Sequence, residues 1–121
     1  MSDPPYLLGH AESELARLQR QGALFREITE ESLAAAGLRP GNRVLDIGCG
    51  AGDVSLLVAG MVGEEGSVVG IDRSSSAVAL ARVRAATAGV ANAAFYAGDV
   101  VRLDAIAALP ARTAFDAIVG R

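Results

Sequence analysis

The segment best equipped for ligand chemistry is Val44-Leu45-Asp46-Ile47-Gly48-Cys49-Gly50-Ala51-Gly52-Asp53. Gly48, Gly50 and Gly52 alternate, which suits a backbone that turns through positive φ and lets a ligand approach closely. A helical stretch follows, so the turn opens onto a helix N-terminus with unsatisfied N–H groups and partial positive charge. The spacing departs from the dinucleotide fingerprint Gly-x-Gly-x-x-Gly, whose third glycine falls at position 53, where this chain has aspartate. An acid there repels a pyrophosphate. The Walker phosphate loop is excluded more simply, because the chain contains no lysine. An ordinary tight turn between strand and helix is the competing account. Three alternating glycines behind Asp46 favour a bound ligand, and one without phosphates.

Two further acids extend the pattern. Asp72 closes the apolar run Val68-Val69-Gly70-Ile71, twenty residues past Gly52. An acid so placed, at the end of a second strand, can accept hydrogen bonds from both hydroxyls of a ribose. Gly98-Asp99-Val100 puts another acid after a third strand, within reach of an adenine amino group. Taken singly, each acid also reads as a solvated strand-end or loop aspartate.

Other polar side chains carry less. His10 is the one histidine, and so the one side chain that ordinarily titrates near neutrality, but nothing pairs it with a base's task. Tyr6, Arg17 and Gln21 are the other polar side chains of the amino-terminal segment and suit a solvated face better than a site. Cys49 reads as a small packing residue and not a nucleophile. Glu64 and Glu65 read as solvated. No catalytic residue emerges, and one histidine with one cysteine cannot build a metal site.

The elements that must hold these residues follow from periodicity. Residues 1–9 carry two prolines and are expected to lack regular structure. From His10 to Ala36, Leu15, Leu18, Phe25, Ile28 and Leu33 recur at helical spacing, with Gly22 as a candidate break between two helices. Gly37 suits a left-handed C-terminal cap, with Pro40 beyond it. The rhythm then becomes strand, helix, strand, helix. Strands are expected at Val44–Ile47, Val68–Ile71, Ala94–Ala97 and Phe115–Val119. Helices are expected at Val54–Met61, at Ala77–Ala88 capped by Ser74, Ser75 or Ser76, and around Leu103–Ala108. This alternation predicts an α/β domain on a parallel sheet with right-handed crossovers. An amino-terminal helical segment (1–40) precedes the sheet domain (41–121).

Composition narrows the classes. With 121 residues and 51% hydrophobic content the chain has room for one real core. Its mean hydropathy of +0.34 argues against disorder. No run of about 18 apolar residues exists for a membrane span, and no signal peptide opens the chain. A pI near 5.0 gives no electrostatic reason to expect nucleic acid, and 4% aromatics give no base-stacking platform. One cysteine cannot form an internal disulfide, so a reducing cytoplasm is the expected compartment.

The glycine turn, Asp72 and Gly98-Asp99-Val100 together resemble the class I S-adenosylmethionine-dependent methyltransferases. The stretch from Arg43 to Arg121 is similar to the branch typified by ubiquinone and menaquinone biosynthesis. The resemblance implies a Rossmann-like three-layer α/β sandwich on a parallel sheet of order 3-2-1-4, with S-adenosylmethionine as cofactor, leaving as S-adenosylhomocysteine. It implies that Asp46, Gly48, Cys49, Gly50 and Gly52 surround the methionine portion. Asp72 would then hold the ribose, with Arg73 near the adenine ring. Asp99 and Val100 would meet the adenine, and Gly120, ending the fourth strand, would line the methionine end. The amino-terminal segment would be a partial lid, and the acceptor a small molecule. Family members continue after the fourth strand, so a chain truncated there is expected to carry the cofactor half. Two alternatives stay open: a non-catalytic cofactor-binding or dimerisation module, with a homodimer through the bare fourth strand, and an NAD-binding oxidoreductase.

Overall fold

The computed structural model describes residues 4–99 and 115–120, with side chains described from residue 13 onward. The chain order is α1 (Pro4–Ala35), β1 (Arg43–Ile47), α2 (Asp53–Val62), β2 (Ser67–Asp72), α3 (Ser75–Thr87), β3 (Ala93–Ala97) and β4 (Ala117–Gly120). The sheet order is β3-β2-β1-β4, as expected, and each pairing is parallel.

The register explains where the core lies. Val44 stands beside Val68, and Val68 beside Ala93, while Asp46, Gly70 and Phe95 form the next row on the same face. Val58, Ala59 and Val62 of α2 pack on Val44 and Val68. Val78, Ala81 and Ala85 of α3 pack with Cys49 and Phe95. Both crossover helices therefore cover one face of the sheet. The small residues on α3 let it lie close, which is what an alanine-rich, aromatic-poor core permits. The expected short helix around Leu103–Ala108 falls outside the described residues, and with it the sandwich's third layer.

α1 departs from expectation at its start and middle. It is one continuous helix beginning at Pro4, where residues 1–9 were expected to be irregular. Pro4 and Pro5 occupy the first turn, whose N–H groups have no intrahelical partner in any case, so proline costs nothing there. Gly22 does not break it: a helical glycine costs only about 1 kcal/mol against alanine. The stop matches expectation. Gly37 takes φ 102°, Gly37 N–H bonds Ala34 O at 3.0 Å and Leu38 N–H bonds Leu33 O at 3.0 Å, the paired bonds of a left-handed glycine cap. Leu33 and Leu38 both reach the α2 core cluster. Leu15, Leu18, Phe25 and Ile28 instead remain more than half exposed.

α3 is capped by Ser74, whose Oγ accepts from Ala77 N–H at 3.2 Å.

Candidate functional site

β1 delivers the chain to the carboxyl edge of the sheet at Ile47, and the glycine turn begins there. Gly48 and Cys49 N–H both donate to Ile71 O, at 2.8 and 3.0 Å, so the turn folds over the end of β2. Gly48, Gly50 and Gly52 take φ of 73°, 55° and 91°, a region side chains resist. Gly52 N–H returns to Cys49 O at 3.0 Å, and Gly52 O receives Leu56 N–H at 2.9 Å, starting α2. A Cβ on Gly52 would stand 3.2 Å from Ala81 Cβ and 3.3 Å from the Phe95 ring.

Asp72 stands at the end of β2 beside this turn. Its Oδ1 accepts from Gly50 N–H at 3.2 Å and its Oδ2 from Ser74 N–H at 2.9 Å. Each carboxylate oxygen has lone pairs left for further donors. β3 adds the third corner: Gly98 N–H bonds Asp72 O at 2.9 Å, which sets Asp99 beside Arg73. Arg73 Nη2 lies 3.3 Å from Asp99 Oδ2. Between these strand ends is an open cleft of about 380 Å³, lined by Ile47 and Gly48, by Ile71, Asp72 and Arg73, and by Gly98 and Asp99.

The predicted site residues divide accordingly. Gly48, Asp72, Arg73 and Asp99 line the cleft. Gly50 touches it through Asp72. Gly120 pairs with Ile47 in register, at the same sheet edge. Asp46 and Cys49 are turned inward, at 1% and 0% exposure, and Gly52 is buried under α3. These three shape the turn from within. They lie on the face that α2 and α3 cover. Val100 falls outside the described residues, as do the side chains of Tyr6 and His10. Arg17 is ion-paired with Glu14 on exposed helix surface.

Two residues that sequence reasoning missed brace the turn. Ser55 Oγ donates to Asp46 Oδ2 at 2.6 Å, a buried bond joining the residue before the turn to the first turn of α2. Its signal was a lone serine in the otherwise apolar run Val54–Val62, on the core-facing side. Arg84 of α3 donates to Ala51 O at 2.8 Å and pairs with Asp53 at 2.8 Å. No local pattern marks it.

The bonding explains what the turn can hold. The amides of Gly48, Cys49, Gly50 and Gly52 are all engaged within the protein. They do not form the open cradle of N–H groups that a pyrophosphate requires. The cleft instead presents two carboxylates, Asp72 and Asp99, and one guanidinium. Those two acceptor carboxylates suit a ligand with a vicinal diol, an amino group and net positive charge. Asp53, read from sequence as a bare repelling acid, is paired with Arg84, so the argument against phosphates rests on the engaged amides. Among the described residues no group of His, Cys, Asp and Glu is arranged to hold a metal ion. None of the described helices is long and apolar enough to cross a membrane.

A family model described as "Methyltransferase domain" matches residues 38–121. A probable cobalt-precorrin-6B C(15)-methyltransferase (decarboxylating) of Thermoplasma acidophilum is 47% identical over 55 residues, 46% of this chain and 27% of that protein. A 2-phytyl-1,4-naphtoquinone methyltransferase of Synechococcus elongatus is 49% identical over 47 residues, 39% of this chain and 20% of that one. A 23S rRNA (uracil(1939)-C(5))-methyltransferase of Psychrobacter arcticus is 39% identical over 75 residues, 62% of this chain and 15% of its own. Among solved structures, a protein-L-isoaspartate O-methyltransferase superposes with TM-score 0.66 at 28% identity, covering 77% of this chain and 28% of that one. A SAM dependent methyltransferase from Aquifex aeolicus superposes with TM-score 0.57 at 34% identity, covering 59% and 38%. The matches span about a quarter or less of the named relatives' length. The rRNA enzyme among them leaves the expected exclusion of nucleic acid without support.

Proposed function

The chain belongs to the methyltransferase-domain family, and from that premise we propose that its cleft binds S-adenosylmethionine for methyl transfer to a small-molecule acceptor. The observation that carries the reading is the Gly50–Asp72 bond, which joins the glycine turn to the strand-end acid at the mouth of the cleft. The cofactor brings a methyl group on a sulfonium, a good leaving group, so the protein's main task is alignment at close range. The residues present fit it. Asp72 keeps acceptor capacity for the ribose hydroxyls, and Asp99 can accept from the adenine amine. Arg73 offers a flat cation at the adenine end. Two carboxylates at the cleft also favour a positively charged ligand over a phosphate. A general base is required only where the acceptor must lose a proton, and this reading assigns that role to no residue.

The small-molecule acceptor is supported by the quinone and precorrin relatives. A lone cysteine, buried and reduced, fits a reducing compartment. Among the described residues β4 pairs only with β1, and a second copy adding to its other edge would give the homodimer; a monomer by light scattering at micromolar concentration would reject it. Calorimetric titration of the chain with S-adenosylhomocysteine, beside NAD, tests the main reading. Micromolar binding of the first and none of the second is expected. Binding of NAD alone, or of neither by a folded chain, would reject it.

A further inference from the structure

Resting on that cofactor reading, we propose that Arg84 of α3 is a positioning residue that holds the glycine turn in its binding form. Its Nη1 lies 2.8 Å from Ala51 O and 2.8 Å from Asp53 Oδ1, so one nitrogen bridges the middle of the turn and the start of α2. Ala51 is the one residue between Gly50 and Gly52, both at positive φ. A peptide flanked by glycines has more accessible orientations than any other, and without an anchor its carbonyl is free to swing. Gly52 N–H to Cys49 O restrains one side of that peptide, and Arg84 restrains the other with a charge-assisted bond.

The anchor is well founded. Arg84 sits one turn beyond Ala81, which is fully buried and against which Gly52 rests. The helix that supplies the guanidinium is thus the helix the turn packs on. The Gly50 amide, which bonds Asp72, lies two peptide units back in the same glycine turn. A half-exposed pair such as Arg84–Asp53 adds little to global stability. Its effect falls on the population of the competent turn, and apparent affinity scales with that population.

The test compares the unaltered chain with Arg84→Met, which keeps the aliphatic stem, and Arg84→Lys, which keeps a shorter cation. Three readouts are needed: calorimetric affinity for S-adenosylhomocysteine, thermal midpoint, and the amide resonances of Gly50 and Gly52 in the ligand-free chain. Arg84→Met should weaken binding about five- to tenfold, with partial recovery in Arg84→Lys. Its Tm should stay within about 2 °C of the unaltered chain. The two glycine amides should broaden in Arg84→Met before any ligand is added. Equal affinity with sharp, unshifted glycine amides would overturn the role and leave the cofactor reading standing. A Tm falling in step with affinity in both variants would make Arg84 a residue of the fold, and would also overturn it. If the unaltered chain takes up no S-adenosylhomocysteine, the cofactor reading fails separately, and the ligand-free glycine amides still decide whether Arg84 holds the turn.

Discussion

The Gly50 amide donates to Asp72 Oδ1 at 3.2 Å, across 22 positions of sequence, and so joins the two strongest motifs of the chain in one bond. The turn orients the acid, and the acid restrains the turn. Ser74 N–H on Oδ2 completes the restraint, and each carboxylate oxygen keeps acceptor capacity at the cleft that Asp72 lines.

Asp72→Ala removes that acceptor. Binding of S-adenosylhomocysteine should fall by about 1–3 kcal/mol, the cost of unpairing buried hydroxyl donors, and calorimetry reads it directly. Asp72→Asn keeps one carbonyl acceptor and should fall between the two. Affinity unchanged in both variants would place the ribose elsewhere.

Asp99 should discriminate at the purine. The unaltered chain is expected to prefer S-adenosylhomocysteine over its inosyl analogue, because a carboxylate accepts from an amino group and repels a carbonyl. Asp99→Ala should erase most of that preference while the inosyl ligand loses little. Competition binding of the two ligands measures it, and a preference that survives intact would separate Asp99 from the adenine.

Gly70 is needed for space and not for φ. A Cβ there would meet Phe95 Cδ1 at 2.8 Å and Cys49 Sγ at 2.9 Å, both in the packed interior. Gly70→Ala should destabilise by about 1–3 kcal/mol, the usual cost of overpacking, seen as a lower denaturant midpoint. An unchanged midpoint would mean that Phe95 has room to move.

Ser55→Ala removes the hydroxyl that donates to the buried Asp46 carboxylate. Urea denaturation should show a loss of about 1–3 kcal/mol, because a buried charged acceptor loses a bond that no water replaces. A loss under about 0.5 kcal/mol would show that Asp46 is held well enough by its other interactions.

What was legible in the sequence was local. A short apolar run, alternating glycines and an acid twenty residues on are signals read within one strand–turn–helix unit, and β1, the turn, β2 and Asp72 stand where those signals put them. Right-handed crossovers make the sheet parallel and fix its hand, while its order was legible only through the family resemblance. The Arg84 brace was not legible, because Arg84 reaches Ala51 across 33 positions, and the packing of α3 with Cys49 and Phe95 brings them together. The burial of Asp46 and Cys49 was not legible either: strand alternation turns Asp46 toward the helices, and the turn beyond Ile47 carries Cys49 into the α3 cluster. At α1 the periodicity marked a helix correctly but not its burial, since Leu15 and Phe25 stay 57% and 59% exposed while Leu33 reaches the core.

The central claim, an adenosyl ligand held between the glycine turn and the two strand-end acids, is tested most directly by amide chemical-shift mapping during titration with S-adenosylhomocysteine. The largest shifts should fall on Gly48, Gly50, Asp72, Arg73, Gly98 and Asp99, with β3's outer edge and the far ends of α2 and α3 silent. Shifts concentrated on those far ends, or none at saturating ligand in a folded chain, would contradict it.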